Sequence, residues 1–151
     1  MKLSTVLALS LVVFSTAAIV AAPLPAETAP EGSRPCVEHF TEEGGFFEGK
    51  TYETWQEHEG VSFDAAYRAV AQAVVKDGWS RVETDKDLGI ITGSQEVTMG
   101  EGAVAPLNVV VDEVEEGKVR VEAKFSTAGM QKAKTKDVRK ALCTIVEAAS
   151  E

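Results

Sequence analysis

Arg81–Glu96 reads RVETDKDLGIITGSQE, and two folds compete for it. Asp85, Asp87 and Glu96 stand at positions 1, 3 and 12 of an EF-hand count, the spacing of a calcium loop between two helices. That count then fails, because position 5 is Gly89 and position 6 is Ile90, so one acidic ligand and the glycine of the sharp turn are missing. The segment IITGSQE alternates as a strand does and carries no helix signal. Asp and Gly are favoured in turns with no metal present. The hairpin is the stronger reading, and weak surface binding of a cation is what remains of the calcium alternative.

A hairpin here makes its neighbours legible. Upstream, SFDAAYRAVAQAVVKDG has Ser62 as an N-cap, Asp64 in the first turn and Gly78 as a stop. Phe63, Ala66, Tyr67, Val70 and Val74 recur at helical spacing and mark a buried face. Downstream, PLNVVVDEV begins with Pro106, where a strand can start. VRVEAKFS puts Val119, Val121, Ala123 and Phe125 on one side and Lys118, Arg120, Glu122 and Lys124 on the other. That alternation predicts a sheet with one dry and one wet face. KTKDVRKALCTIVEAA closes the chain as a helix with Val138, Leu142, Ile145 and Ala149 on one side. By composition, KTYETWQEH ahead of the first helix suits a strand. The expected fold is α+β: an antiparallel sheet of four to five strands packed on two helices, in the order β-α-β-β-β-β-α.

Residues 1–21 have one lysine, an apolar run and small residues at the end, the profile of a secretory signal peptide cut after Ala21. The alternative is an uncleaved anchor, since about twenty weakly apolar residues just span a bilayer. Residues 22–35 hold four of the 5 prolines and read as a solvated, disordered tether. A single domain is expected over residues 36–151. Removing residues 1–21 takes one lysine and no acid from totals of 15 basic and 24 acidic residues, leaving a net charge of −10. Such a body repels nucleic acid, and no stable membrane insertion is expected once the signal is gone. The 2 cysteines, Cys36 and Cys143, are an even pair, which in an exported chain favours a disulfide over two buried thiols. A periplasmic or secreted location follows from these features together.

Chemistry finds little purchase. His39 and His58 with the cysteines do not make the four ligands of a structural zinc site, and Ser62 stands where a zincin motif needs its second histidine. No G-x-S-x-G or S-x-x-K is present, so neither an enzyme nor a cofactor is expected. Two features suit a partner. Lys132, Lys134, Lys136, Arg139 and Lys140 crowd nine positions of an acidic protein, either as a solvated helix face or as a docking patch for an acidic partner. Phe46 and Phe47 sit among glycines in GGFFEG, either as core residues or as an exposed interaction loop. Residues 38–59 carry seven Glu against one Lys, so this segment and the basic one are also able to attract each other.

From SFDAAYRAVAQAVVKDGWSRVETDKDLGIITG the chain resembles small exported bacterial envelope proteins. The shared pattern is a helix, then Gly78, a strand with Asp85 or Asp87 near its end, and Gly89 and Ile91 opening the next strand. It is similar to the helix-grip domains of envelope lipoproteins such as the accessory lipoprotein of the outer-membrane β-barrel assembly machinery. The resemblance implies a helix-grip sheet and a cell-envelope setting, and carries over no catalytic residue. No cysteine closely follows the apolar run, so the lipid anchor of those lipoproteins is not expected. The function expected is a non-enzymatic exported module that binds an envelope protein. The alternative is a carrier holding a small hydrophobic ligand in a helix-grip cavity.

Overall fold

The computed structural model describes residues 34–96 and 104–150. The expected signal peptide and nearly all of the expected tether lie outside these described residues. Its elements are helix α1 (Pro35–Glu38), strands β1 (Thr41–Gly45) and β2 (Gly49–Glu59), helix α2 (Phe63–Lys76), strands β3 (Ser80–Asp85), β4 (Ile90–Glu96), β5 (Val104–Glu115) and β6 (Lys118–Ser126), and helix α3 (Thr135–Glu147). A short 3-10 turn, Ala148–Ser150, follows α3. The strands form one antiparallel sheet in the order β1-β2-β6-β5-β4-β3.

The class is α+β, with two corrections of detail: six strands replace four to five, and α1 joins the two expected helices. Strand β1 escapes sequence reading because TEEGG has no apolar residue to alternate and scant β propensity. It is a strand because the turn at residues 46–48 folds it back on β2, pairing Thr41 with Glu53 and Gly45 with Gly49. Helix α1 is one turn long, too short to show a period, and Pro35 opens it with a φ already set for a helix. Arg34 and Pro35, the last residues of the expected tether, are therefore attached to the fold.

Arg81–Glu96 folds as the β3–β4 hairpin. The Asp85 carboxylate accepts a hydrogen bond from Leu88 N at 3.1 Å, so it caps the turn. Gly89 has φ +67°, and a Cβ there would stand 2.1 Å from the Val111 carbonyl oxygen. Only glycine lets β4 leave the turn so close to β5. Ser62 Oγ accepts from Ala65 N at 3.4 Å and caps α2. Ala66, Tyr67, Val70 and Val74 of that helix are buried.

Every second residue of β5 and β6 turns inward: Ala105, Leu107, Val109 and Val111 from one, Val119, Val121, Ala123 and Phe125 from the other. Both α2 and α3 lie on that face. Burial of these side chains contributes roughly 1.5–3 kcal/mol for each large aliphatic or aromatic residue. The disulfide expected from the cysteine pair joins Cys36 to Cys143 across 107 residues, with a Cα–Cα distance of 5.5 Å and both ends buried. A buried disulfide fits an oxidising, exported location. Among the described residues no helix is long and apolar enough to cross a membrane.

Candidate functional site

The aromatic turn and the basic stretch, far apart in sequence, meet in space. Phe46 and Phe47 form the β1–β2 turn, and the loop between β6 and α3 runs beside it. Met130 N donates to the Phe46 carbonyl oxygen at 2.6 Å, and Thr127 N to that of Lys50 at 2.8 Å. Gly129 makes the approach possible, since a Cβ there would lie 2.2 Å from the Phe47 carbonyl oxygen. The Lys132 ammonium lies 5.9 Å from the centre of the Phe46 ring, within cation–π range. Phe47 is 83% exposed and Met130 67%. The outcome is an apolar tip edged by lysine, in a protein that is otherwise strongly acidic.

The five basic residues do not form a single knot. Lys132, Lys134 and Lys136 are exposed near the start of α3, with Lys134 as its N-cap residue. Arg139 is half-buried, its guanidinium 6.0 Å from the Phe40 ring. Lys140 is exposed on the same helix, and its charge acts on Asp77, beyond the end of α2. Burial pushes the Asp77 carboxyl up, while the Trp79 indole N–H, 3.0 Å away, and Lys140 pull it partly back.

The acidic segment is engaged with this end of α3, though not through the patch lysines. Glu42 takes an ion pair from Lys50 and a hydrogen bond from the Thr135 hydroxyl at 2.7 Å. These two bonds hold its carboxyl below the usual glutamate range. Met130 was not singled out from the sequence. An isolated Met after Gly carries no signal; its backbone φ is +65°, within the loop between β6 and α3.

The wet face of the sheet carries ion pairs of its own. Glu53 pairs with Lys124 at 3.5 Å and Glu57 with Lys118 at 2.6 Å. Between them the Trp55 ring carries the stacked His39 imidazole at 3.5 Å and the Arg120 guanidinium at 4.1 Å. His39 Nδ1 also donates to the Trp55 carbonyl oxygen at 3.0 Å. His58 is buried, with Nε2 2.7 Å from the Val146 carbonyl oxygen. Among the described residues, the one grouping of metal-ligand types is Cys36, Cys143 and Glu147, and its two sulfurs are bonded to each other.

Two of the concave regions among the described residues have apolar walls. A cleft of about 560 Å³ opens between the start of α3 and the ends of β4 and β6, with Trp79, Phe125 and Leu142 in its wall. A shallower groove of about 560 Å³ runs between α2 and β3 over Tyr67, Ala71, Val75 and Val82. Compared with known proteins, the chain matches no family model and none of the curated sequences.

Proposed function

We propose that the protein is a non-enzymatic, periplasmic or secreted interaction module of the bacterial cell envelope. It takes an acidic segment of an envelope protein on the surface formed by Phe46, Phe47, Met130, Lys132, Lys134 and Lys136. The observation that carries this reading is the hydrogen-bonded junction of the aromatic turn with the basic loop, which puts exposed apolar side chains beside cations. Exposed aromatic and methionine side chains rimmed by charge are the composition of a partner site. Lysines outside the paired network of the sheet face add steering toward an acidic partner.

The side chains best suited to acid–base or nucleophilic work are occupied structurally, which supports the non-enzymatic reading. Both histidines bond backbone carbonyls, and both cysteines are in the bridge. The apolar sheet face packed on α2 and α3 fits the α+β class that the helix-grip resemblance implies. The buried disulfide and the signal-like residues 1–21 support export.

A photo-crosslinking residue at position 47, introduced in an exporting host, tests the proposal. One discrete adduct is expected, lost when Lys132, Lys134 and Lys136 are all changed to Glu and kept in Lys140→Glu. No adduct, or one indifferent to the triple change, would overturn the assignment of this surface.

A further inference from the structure

We propose that the acidic partner of the aromatic tip is the opposite end of a second copy of this chain, so that copies associate head to tail. The inference rests on the reading of the tip as a partner site and names its partner.

The strands run between two ends of unlike character. At the tip, Phe47 and Met130 are exposed, and the exposed Lys132, Lys134 and Lys136 outnumber Glu48 and Asp137. Glu42 nearby is already bonded to Lys50 and Thr135. At the other end the three chain reversals are tied together. Val111 N donates to the Gly89 carbonyl oxygen and Gly60 N to that of Gly117, each at 2.8 Å. The bases of this end are already engaged: Lys86 with Asp64 at 2.9 Å, Lys118 with Glu57 at 2.6 Å, and Arg120 over the Trp55 ring. Glu59, Asp87, Glu113, Glu115 and Glu116 are exposed beside them, so the acids are in clear excess.

This acidic end also presents apolar side chains. Leu88 is 67% exposed in the β3–β4 turn, and Val114 is 40% exposed before the β5–β6 turn. Val114 is turned out by a bulge, because Glu113 pairs with Val119 and Glu115 with Lys118, which leaves it as the extra residue. A lone exposed Val or Leu is ordinary. Here two of them stand among surplus carboxylates, while Phe47 and Met130 stand beside lysines. Each end thus offers the other apolar contact and opposite charge.

The two ends do not meet within one copy, since the nine residues of β6 hold them about 26–30 Å apart. Contact between unlike surfaces of two copies is heterologous and continues from copy to copy. The net charge of −10 opposes this at long range, but a Debye length of about 8 Å at about 0.15 M salt leaves mainly the charges in contact. Strand β3 is a poorer place for a second copy. Its register shifts between Ser80 and Glu83, and Arg81 has φ +48°, an irregularity that interrupts an edge.

Sedimentation velocity of the disulfide-bonded chain tests the inference. At about 0.15 M salt, monomers should give way to dimers and longer chains as concentration rises through the micromolar range, and revert at about 1 M, where the Debye length is about 3 Å. The exposed triple variants Lys132→Gln/Lys134→Gln/Lys136→Gln and Glu113→Gln/Glu115→Gln/Glu116→Gln should each stay monomeric alone. Mixed in equal amounts they should form a one-to-one dimer, because each still carries one intact end. A wild-type chain that stays monomeric, a variant that associates as wild type does, or a mixture that fails to dimerise would overturn head-to-tail pairing. If the chain stays monomeric while a crosslinker at position 47 captures a different envelope protein, this inference falls and the reading of the tip stands.

Discussion

In its C-terminal half, α3 is fastened from several directions. Cys143 is bonded to Cys36, Glu147 meets the Arg34 guanidinium at 3.2 Å, and the carbonyl of Val146 receives the buried His58. At its N-terminal end the same helix starts on Lys134 with no side-chain cap, beside a cleft and next to the exposed Met130 and Phe47. One helix is thus both a structural bolt and the wall of a surface. The difference teaches where stability and function part: covalent and buried polar bonds fix one end, and this leaves the other end free to keep groups that folding does not need. Charges and apolar side chains left exposed in that way are costly to a fold and useful to a ligand.

Breaking the bolted end should have the largest effect. The double variant Cys36→Ala/Cys143→Ala is expected to lose about 2–5 kcal/mol, read from urea unfolding with its reference in non-reducing buffer. Losing less than about 1 kcal/mol would mean that the bridge does not carry this end of the fold. His58→Leu should cost about 1–3 kcal/mol, because the Val146 carbonyl oxygen would be left buried without its donor. Unchanged stability would show that the bond contributes nothing net. At the open end the sign reverses. Lys134→Ser supplies the missing N-cap and should raise stability by about 0.5–2 kcal/mol, measured by thermal melting. A variant that gains no stability would show that this helix end is already satisfied.

How much of this was legible beforehand follows from the range of each signal. Helix α2 announced itself through Ser62, Asp64 and a 3.6-residue period, all within a few residues of one another. Strand β6 did so through alternation, and the β3–β4 turn through Asp85 and Gly89. Strand β1 did not, because its place depends on pairing with β2 rather than on its own side chains. For the candidate surface, composition pointed to Phe46, Phe47 and the lysines one by one, while Met130 and Gln131 carried no mark.

Local chemistry in the sequence by itself determined the class of the fold, the buried faces of α2, α3 and β6, and the even cysteine pair. These are properties of residues separated by two to four positions, whose periodicity any sheet or helix must obey. Only the tertiary structure decided that β2 lies against β6, pairing Thr51 with Ser126 and Tyr52 with Phe125. That pairing carries the aromatic turn to the loop before α3, and it places Gln131, Lys132 and Lys134 at the mouth of the cleft. The physical reason is that such contacts join residues about 75 positions apart through backbone hydrogen bonds, which every residue type but proline makes alike. Side-chain identity does not report them until the sheet has closed.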